Sequence, residues 1–171
     1  MSRAEVTERL SRLVEKRLTS RHMYWSAEVS FDKGTERERR IDYVAFKPFT
    51  PNLTVEPASV ELGTFECYEI KSCMADFHSG HGLTFYGDRN YLVTTKAFLE
   101  ELTAKQLTPT GIDAILVQNM TGTSLLERGT HPEGREHRYG SHSYRRRVAS
   151  EMLWQMVQAN LHHDGTVTGR R

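Results

Sequence analysis

The sequence predicts an α/β fold: a single domain over residues 1–165 on one mixed sheet, with elements in the order α-β-β-β-α-β, a C-terminal helix, and a disordered tail at 166–171. Three observations predict it. Apolar residues recur at helical spacing near both ends of the chain, and short runs rich in aromatic and β-branched residues, bounded by Pro, Gly, Asn and Asp, fill the middle. The 171 residues also suffice to bury a core without disulfide or metal staples.

Taken in order, Val6, Leu10, Leu13, Val14 and Leu18 mark an amphipathic helix over residues 3 to 18. Residues 24 to 31 (YWSAEVSF) read as a first strand, closed by the turn signal Asp32-Lys33-Gly34. A second strand, residues 41 to 46 (IDYVAF), stops at Pro48 and Pro51, and the stretch up to Gly63 has no period, so an extended loop or edge strand is expected. Residues 64 to 71 (TFECYEIK) form the third and most central strand. Its period of two puts Cys67, Glu69 and Lys71 on one face and Glu66, Tyr68 and Ile70 on the other. A loop with a short helix follows. Then come a strand at 90–94, a helix at 96–105 and a strand at 112–118. Residues 119 to 141 read as a long loop, and residues 144 to 161 as a helix carrying Val148, Met152, Leu153, Met156, Val157 and Leu161.

Composition excludes several classes. Hydrophobic residues are 37% and charged residues 26%, which fits a globular chain. The N-terminal stretch has charges in every apolar run, so it holds no signal-peptide core and no membrane span, and a cytoplasmic protein of a bacterial or phage-infected cell is expected. Cys67 and Cys73 read as ordinary thiols, and scattered histidines do not make a zinc site. The net charge of +1 does not itself announce a nucleic-acid binder. The arginines are nevertheless clustered, at Arg37, Arg39 and Arg40 and again at Arg145, Arg146 and Arg147, as solvated faces or as phosphate contacts.

The residues that carry chemistry are Asp42, Glu69 and Lys71. A hard cation such as Mg²⁺ or Mn²⁺ needs only two or three converging oxygen ligands, and a lysine beside them can orient water and stabilise developing negative charge. Glu69 and Lys71 project from one face of one strand, Asp42 lies on the strand before it, and the backbone carbonyl of Ile70 is a further candidate ligand.

The strings Ile41-Asp42-Tyr43-Val44, Cys67-Tyr68-Glu69-Ile70-Lys71-Ser72 and Ala75-Asp76-Phe77, with residues 86 to 93 (YGDRNYLV) downstream, resemble the PD-(D/E)xK nuclease superfamily. The similarity is to its restriction-endonuclease-like folds and to the branch containing phage nucleases and DNA-repair proteins of the MmcB type, and it covers residues 40 to 95. It implies Asp42 and Glu69 as metal ligands and Lys71 as the catalytic lysine. Glu28, or Glu5 or Glu8, would match the extra acid some members use. The resemblance also implies DNA as partner, Mg²⁺ or Mn²⁺ as cofactor and a homodimer that cuts two strands. The loop from Asp42 to Glu69 is long, and Gly80-His81-Gly82 stands where a lysine is expected.

Around this core, Arg40, Arg89, Arg145, Arg146 and Arg147 are candidate nucleic-acid contacts. His78 and His81 are either phosphate contacts or incidental turn residues. Asp76 is read as a helix cap, Trp25 as core. The leading expectation is a metal-dependent deoxyribonuclease. A nuclease-fold module that binds nucleic acid or protein without cutting is the alternative, and a structural phage protein with coincidental charges a third. DNA against RNA, strandedness and endo- against exonuclease action stay open.

Overall fold

The computed structural model describes residues 2–50, 57–79, 82–128 and 145–163. Its elements are α1 (Arg3–Ser20), β1 (Tyr24–Phe31), β2 (Arg39–Lys47), α2 (Pro57–Glu61), β3 (Thr64–Ile70), α3 (Met74–Phe77), β4 (Arg89–Thr94), α4 (Lys96–Ala104), β5 (Ala114–Gln118), β6 (Leu125–Arg128) and α5 (Ala149–His163). The expected α/β core with its C-terminal helix is present. One six-stranded sheet runs β1-β2-β3-β4-β5-β6, antiparallel from β1 to β3, parallel from β3 to β5, and antiparallel again at β6.

Side-chain alternation divides the core between two faces. Tyr68, Ile70, Tyr91, Val93, Ala114 and Leu116 point to α1, whose Leu10, Leu13, Val14 and Leu18 cover them. Each such side chain contributes about 1.5–3 kcal/mol on burial. Ser2 caps α1 and Glu5 returns the hydrogen bond to the Ser2 backbone, fixing where the helix begins. On the opposite face, α5 covers Val29, Ile41, Val44, Phe46 and Cys67, and α4 covers Leu92, Ile115 and Val117.

Three segments differ from expectation. The stretch before Gly63 includes the one-turn helix α2, which opens on Pro57, a residue preset for a first helical turn. The supposed loop after residue 118 includes β6. The Asn119 side chain builds its turn, accepting from the backbone N–H of Thr123 at 2.8 Å, while Gly122 supplies a φ of +67°. Helix α5 starts at Ala149, and its buried stripe is Ala149, Met152, Met156 and Ala159; Val148, Val157 and Leu161 face outward. The alanines let the helix lie close to the sheet, and a pattern search for large apolar residues passes over them. Residues 166–171, expected to be disordered, lie outside the described residues, as do most of the 119–141 loop and His81.

One irregularity positions the site. On β1, Ser26 donates to the Met156 carbonyl of α5 and Ala27 packs toward α1, so strict alternation would send Val29 toward α1. Val29 joins the α5 side instead, and the reversal falls at Glu28, which adopts a left-handed φ of +54°. On β2 the same reversal falls at Asp42, with Ile41 on the α5 side and Tyr43 on the α1 side. The pairs Ala27–Tyr43 and Val29–Ile41 keep the hairpin in register through the change. The β2–β3 ladder ends at Tyr43–Tyr68, so Asp42 sits at a fork between the strands.

Candidate active site

At that fork the Asp42 carboxylate does what a strand partner would do. Its Oδ2 accepts the backbone N–H of Ile70 at 2.7 Å, which satisfies a donor that the parted ladder would leave orphaned. In an extended strand the N–H and C=O of one residue point the same way, so the Ile70 carbonyl faces the fork too. Beyond it opens a cleft of about 640 Å³ walled by Arg3, Thr7 and Ser11 of α1, by Arg39, Arg40 and Asp42 of β2, and by Lys71, Asp76 and Gly82. That volume lies in the range of ligand sites, and the lining is mostly polar.

Glu69 does not line the cleft and has none of its surface exposed; it lies behind Gly82, a residue of the cleft wall. Its Oε1 accepts the Thr84 N–H at 3.3 Å, while Oε2 is buried with no hydrogen-bond partner among the described residues. Burial lifts the Glu69 carboxyl well above the ordinary range, and the charge of Asp42 adds to the lift; Lys71 and the N–H groups of Thr84 and Leu83 oppose it. Burial also raises Asp42, against the Ile70 N–H and Lys71. The charge of Asp42 thus disfavours ionisation of the buried Glu69, and Glu28 does the same to Asp42, an arrangement that a cation relieves.

Lys71 is 5% exposed, and its Nζ lies 3.7 Å from Asp76 Oδ1. Gly82, at φ +81°, presses against both catalytic candidates. A Cβ there would stand 2.6 Å from Glu69 Oε2 and 2.9 Å from Lys71 Nζ. The next residue, Leu83, holds a φ of +58°, so this segment wraps the buried carboxylate in strained backbone.

The residues fit a small hard cation. Among the described residues no three His, Cys, Asp or Glu side chains converge, which leaves Asp42, Glu69 and the Ile70 carbonyl as the donor set. Mg²⁺ suits so sparse a set because it keeps several waters. The orphaned Glu69 Oε2 is the feature such an ion would explain.

The other sequence candidates fall in different places. Glu28 reaches the cleft rim but pairs with Arg40 at 2.6 Å. Glu5 serves the cap, and Glu8 pairs with Arg12 on the outside of α1. Arg89 opens β4 opposite Glu66, at the far end of β3 from Lys71, and engages Tyr91 on the α1 side. Arg145 binds the carbonyls of Glu61 and Gly63 and sits over the Phe65 ring, while Arg147 pairs with Asp32 and Glu151 against Tyr86. Both fasten the chain entering α5 to the sheet, and neither lines the cleft. Arg146 is exposed, its N–H bonded to the Tyr86 carbonyl. His78 ends α3 against Phe77, and Trp25 packs on Tyr43. Asp76 is not a cap, since Cys73 holds that position. The residues missed by sequence reasoning are Arg3, Thr7 and Ser11, whose i, i+4, i+8 spacing does mark one polar helix face.

Compared with protein-family models, with curated proteins and with solved structures, the chain has no match.

Proposed function

We propose that this chain is a Mg²⁺- or Mn²⁺-dependent nuclease that hydrolyses phosphodiester bonds of DNA in the cytoplasm, in phage or bacterial DNA processing, repair or defence. No helix among the described residues is long and apolar enough to cross a membrane. The observation that carries the reading is the convergence, at a fork between two strands, of Asp42 and an otherwise unexplained buried Glu69 beside the buried Lys71.

In this reading Asp42, Glu69 and the Ile70 carbonyl are the residues that would hold the cation. When bound, such an ion would supply charge neutralisation at the phosphoryl oxygens and Lewis acidity that makes water more nucleophilic near neutral pH. Lys71 contributes N–H donors at the inner end of the cleft, where they orient the attacking water and meet the negative charge that builds on phosphorus-bound oxygen. Asp42 keeps its geometry through the Ile70 N–H, and the segment from Gly82 to Thr84 holds Glu69. The water oxygen bonds to phosphorus as the bond from phosphorus to the bridging oxygen breaks, and one water proton ends on the departing oxygen, leaving a phosphate monoester at one end and a hydroxyl at the other.

The test is cleavage of plasmid and of single-stranded DNA with Mg²⁺, Mn²⁺ or EDTA, comparing wild type with Lys71→Ala and Glu69→Ala. Metal-dependent cutting that both substitutions abolish supports the reading. A wild type that binds DNA and never cuts it replaces the nuclease with a binding module.

A further inference from the structure

Arg3 and Asp76 belong to neither the carboxylate pair nor the arginine clusters, yet they form a chain of charge out of the cleft. One oxygen, Asp76 Oδ1, lies 2.8 Å from the Arg3 guanidinium and 3.7 Å from Lys71 Nζ. The side chains grade from floor to mouth, with Lys71 7%, Asp76 17% and Arg3 60% exposed. Arg3 is also in an unfavourable place for a merely helical residue. With Ser2 as the cap it is the first residue of α1, where the positive end of the helix dipole repels a cation. Asp76, carried by a separate element, offsets that cost and turns Arg3 to the cleft wall, beside Thr7 and Ser11.

We infer that Arg3 is a ligand for a backbone phosphate of the bound strand and that Asp76 is a positioning residue, holding Arg3 at the mouth and Lys71 on the floor. This rests on the nuclease reading and adds how the strand is gripped. Guanidinium donates two parallel N–H groups to phosphate oxygens, and Asp76 engages one terminal nitrogen, which leaves the opposite edge of the planar group for a ligand. Phosphate contacts fix position without reading bases, so the grip from this wall is independent of sequence.

The sign of one substitution separates positioning from simple charge. Removing Asp76 takes a negative charge from the cleft, so electrostatics alone predict tighter DNA binding. Loss of Arg3's anchor predicts weaker binding.

The experiment measures binding of a labelled 20-base-pair duplex in Ca²⁺ across a range of KCl, for wild type, Arg3→Ala and Asp76→Ala, alongside the Mn²⁺-induced shift in melting temperature. Expected are about tenfold weaker binding for Arg3→Ala at fixed salt and a slope of log K against log salt shallower by about 0.9, as for one lost phosphate contact. Asp76→Ala is expected to weaken binding several-fold, and both variants to keep the wild-type Mn²⁺ shift. An unchanged slope in Arg3→Ala, or tighter binding by Asp76→Ala, overturns the inference, even if wild type cuts DNA normally. A wild type that binds no duplex also overturns it, and a surviving Mn²⁺ shift would then leave the carboxylate pair standing as a metal site without a nucleic-acid partner.

Discussion

Replacing Gly82 with alanine adds one carbon at the closest approach in the cleft. The stability cost comes mainly from backbone, because alanine at φ +81° gives up about 1–2 kcal/mol. For a chain of this size that is a fall in melting temperature of about 2–8 °C. The functional cost is larger. The new Cβ would lie 2.6 Å from Glu69 Oε2 and 2.9 Å from Lys71 Nζ, where ordinary contact begins at 3.4 Å, so the carboxylate must shift by most of an ångström and the ammonium by about half of one. A misplacement near 1 Å costs about a hundredfold in rate. Thermal melts with and without Mn²⁺, with single-turnover cleavage of a labelled strand, give both numbers. In a Lys71→Ala background the melting penalty should shrink toward the backbone cost alone, since one of the two crowded tips is gone. Full turnover and a full Mn²⁺ shift in Gly82→Ala would refute the argument that this glycine seats the two groups.

Further outcomes follow from the same geometry. Glu69→Gln keeps shape and removes a charge that burial disfavours, so the metal-free protein at pH 8 should melt no lower than wild type while its response to Mn²⁺ vanishes; a lower melting point with the response intact would assign Glu69 a structural role. Because the folded carboxyls of Glu69 and Asp42 are raised above their unfolded values, the native state keeps protons that the unfolded chain has lost. Metal-free stability should therefore fall as pH rises from the unfolded carboxylate range through the folded values, and the stabilisation by Mn²⁺ should grow over the same interval as the ion displaces protons. A gap between melting curves that stays constant from pH 5 to 8 would count against a shared carboxylate site. On the other face, Glu66 is 2% exposed and takes a two-pronged ion pair from Arg21 at 2.6 and 2.8 Å. Arg21→Ala should cost about 3 kcal/mol, the lower end for a broken buried pair because Arg21 is itself partly solvated. Urea titration checks this, and cleavage per folded molecule should stay at the wild-type value.

How much of this was legible beforehand depends on where the information resides. Strand β1 could be read from 24 to 31 because aromatic and β-branched residues end abruptly at Asp32-Lys33-Gly34. The proximity of Asp42 to Glu69 followed from the order of strands, since consecutive antiparallel strands pair side by side. The fork itself left no mark, because the phase reversal depends on a left-handed Glu28 that no residue preference announces. Strand β6 was hidden by its brevity, with four residues of which only Leu125 is buried. The arginines at 145 and 147 illustrate a different limit: clustering in one dimension says nothing about which acids they meet, and Asp32 and Glu61 lie far away in the chain. Arg3 and Asp76 escaped for the same reason, being brought together from the first helix and a four-residue turn of helix.

The bond from the Ile70 amide to the Asp42 carboxylate also makes the site observable from the backbone. Most amides in a sheet answer to a neighbouring carbonyl whose charge never varies, whereas this one answers to a group that gains or loses a proton and can share its electrons with a cation. Its nitrogen and proton resonances are thus a built-in indicator at a single, assignable position. They should move when Asp42 titrates and when an ion is captured, while the amide of Lys71, bonded to the Val93 carbonyl one residue on, provides a nearby reference. Occupancy of the carboxylate pair can then be followed in solution without a substrate, a label or an active enzyme.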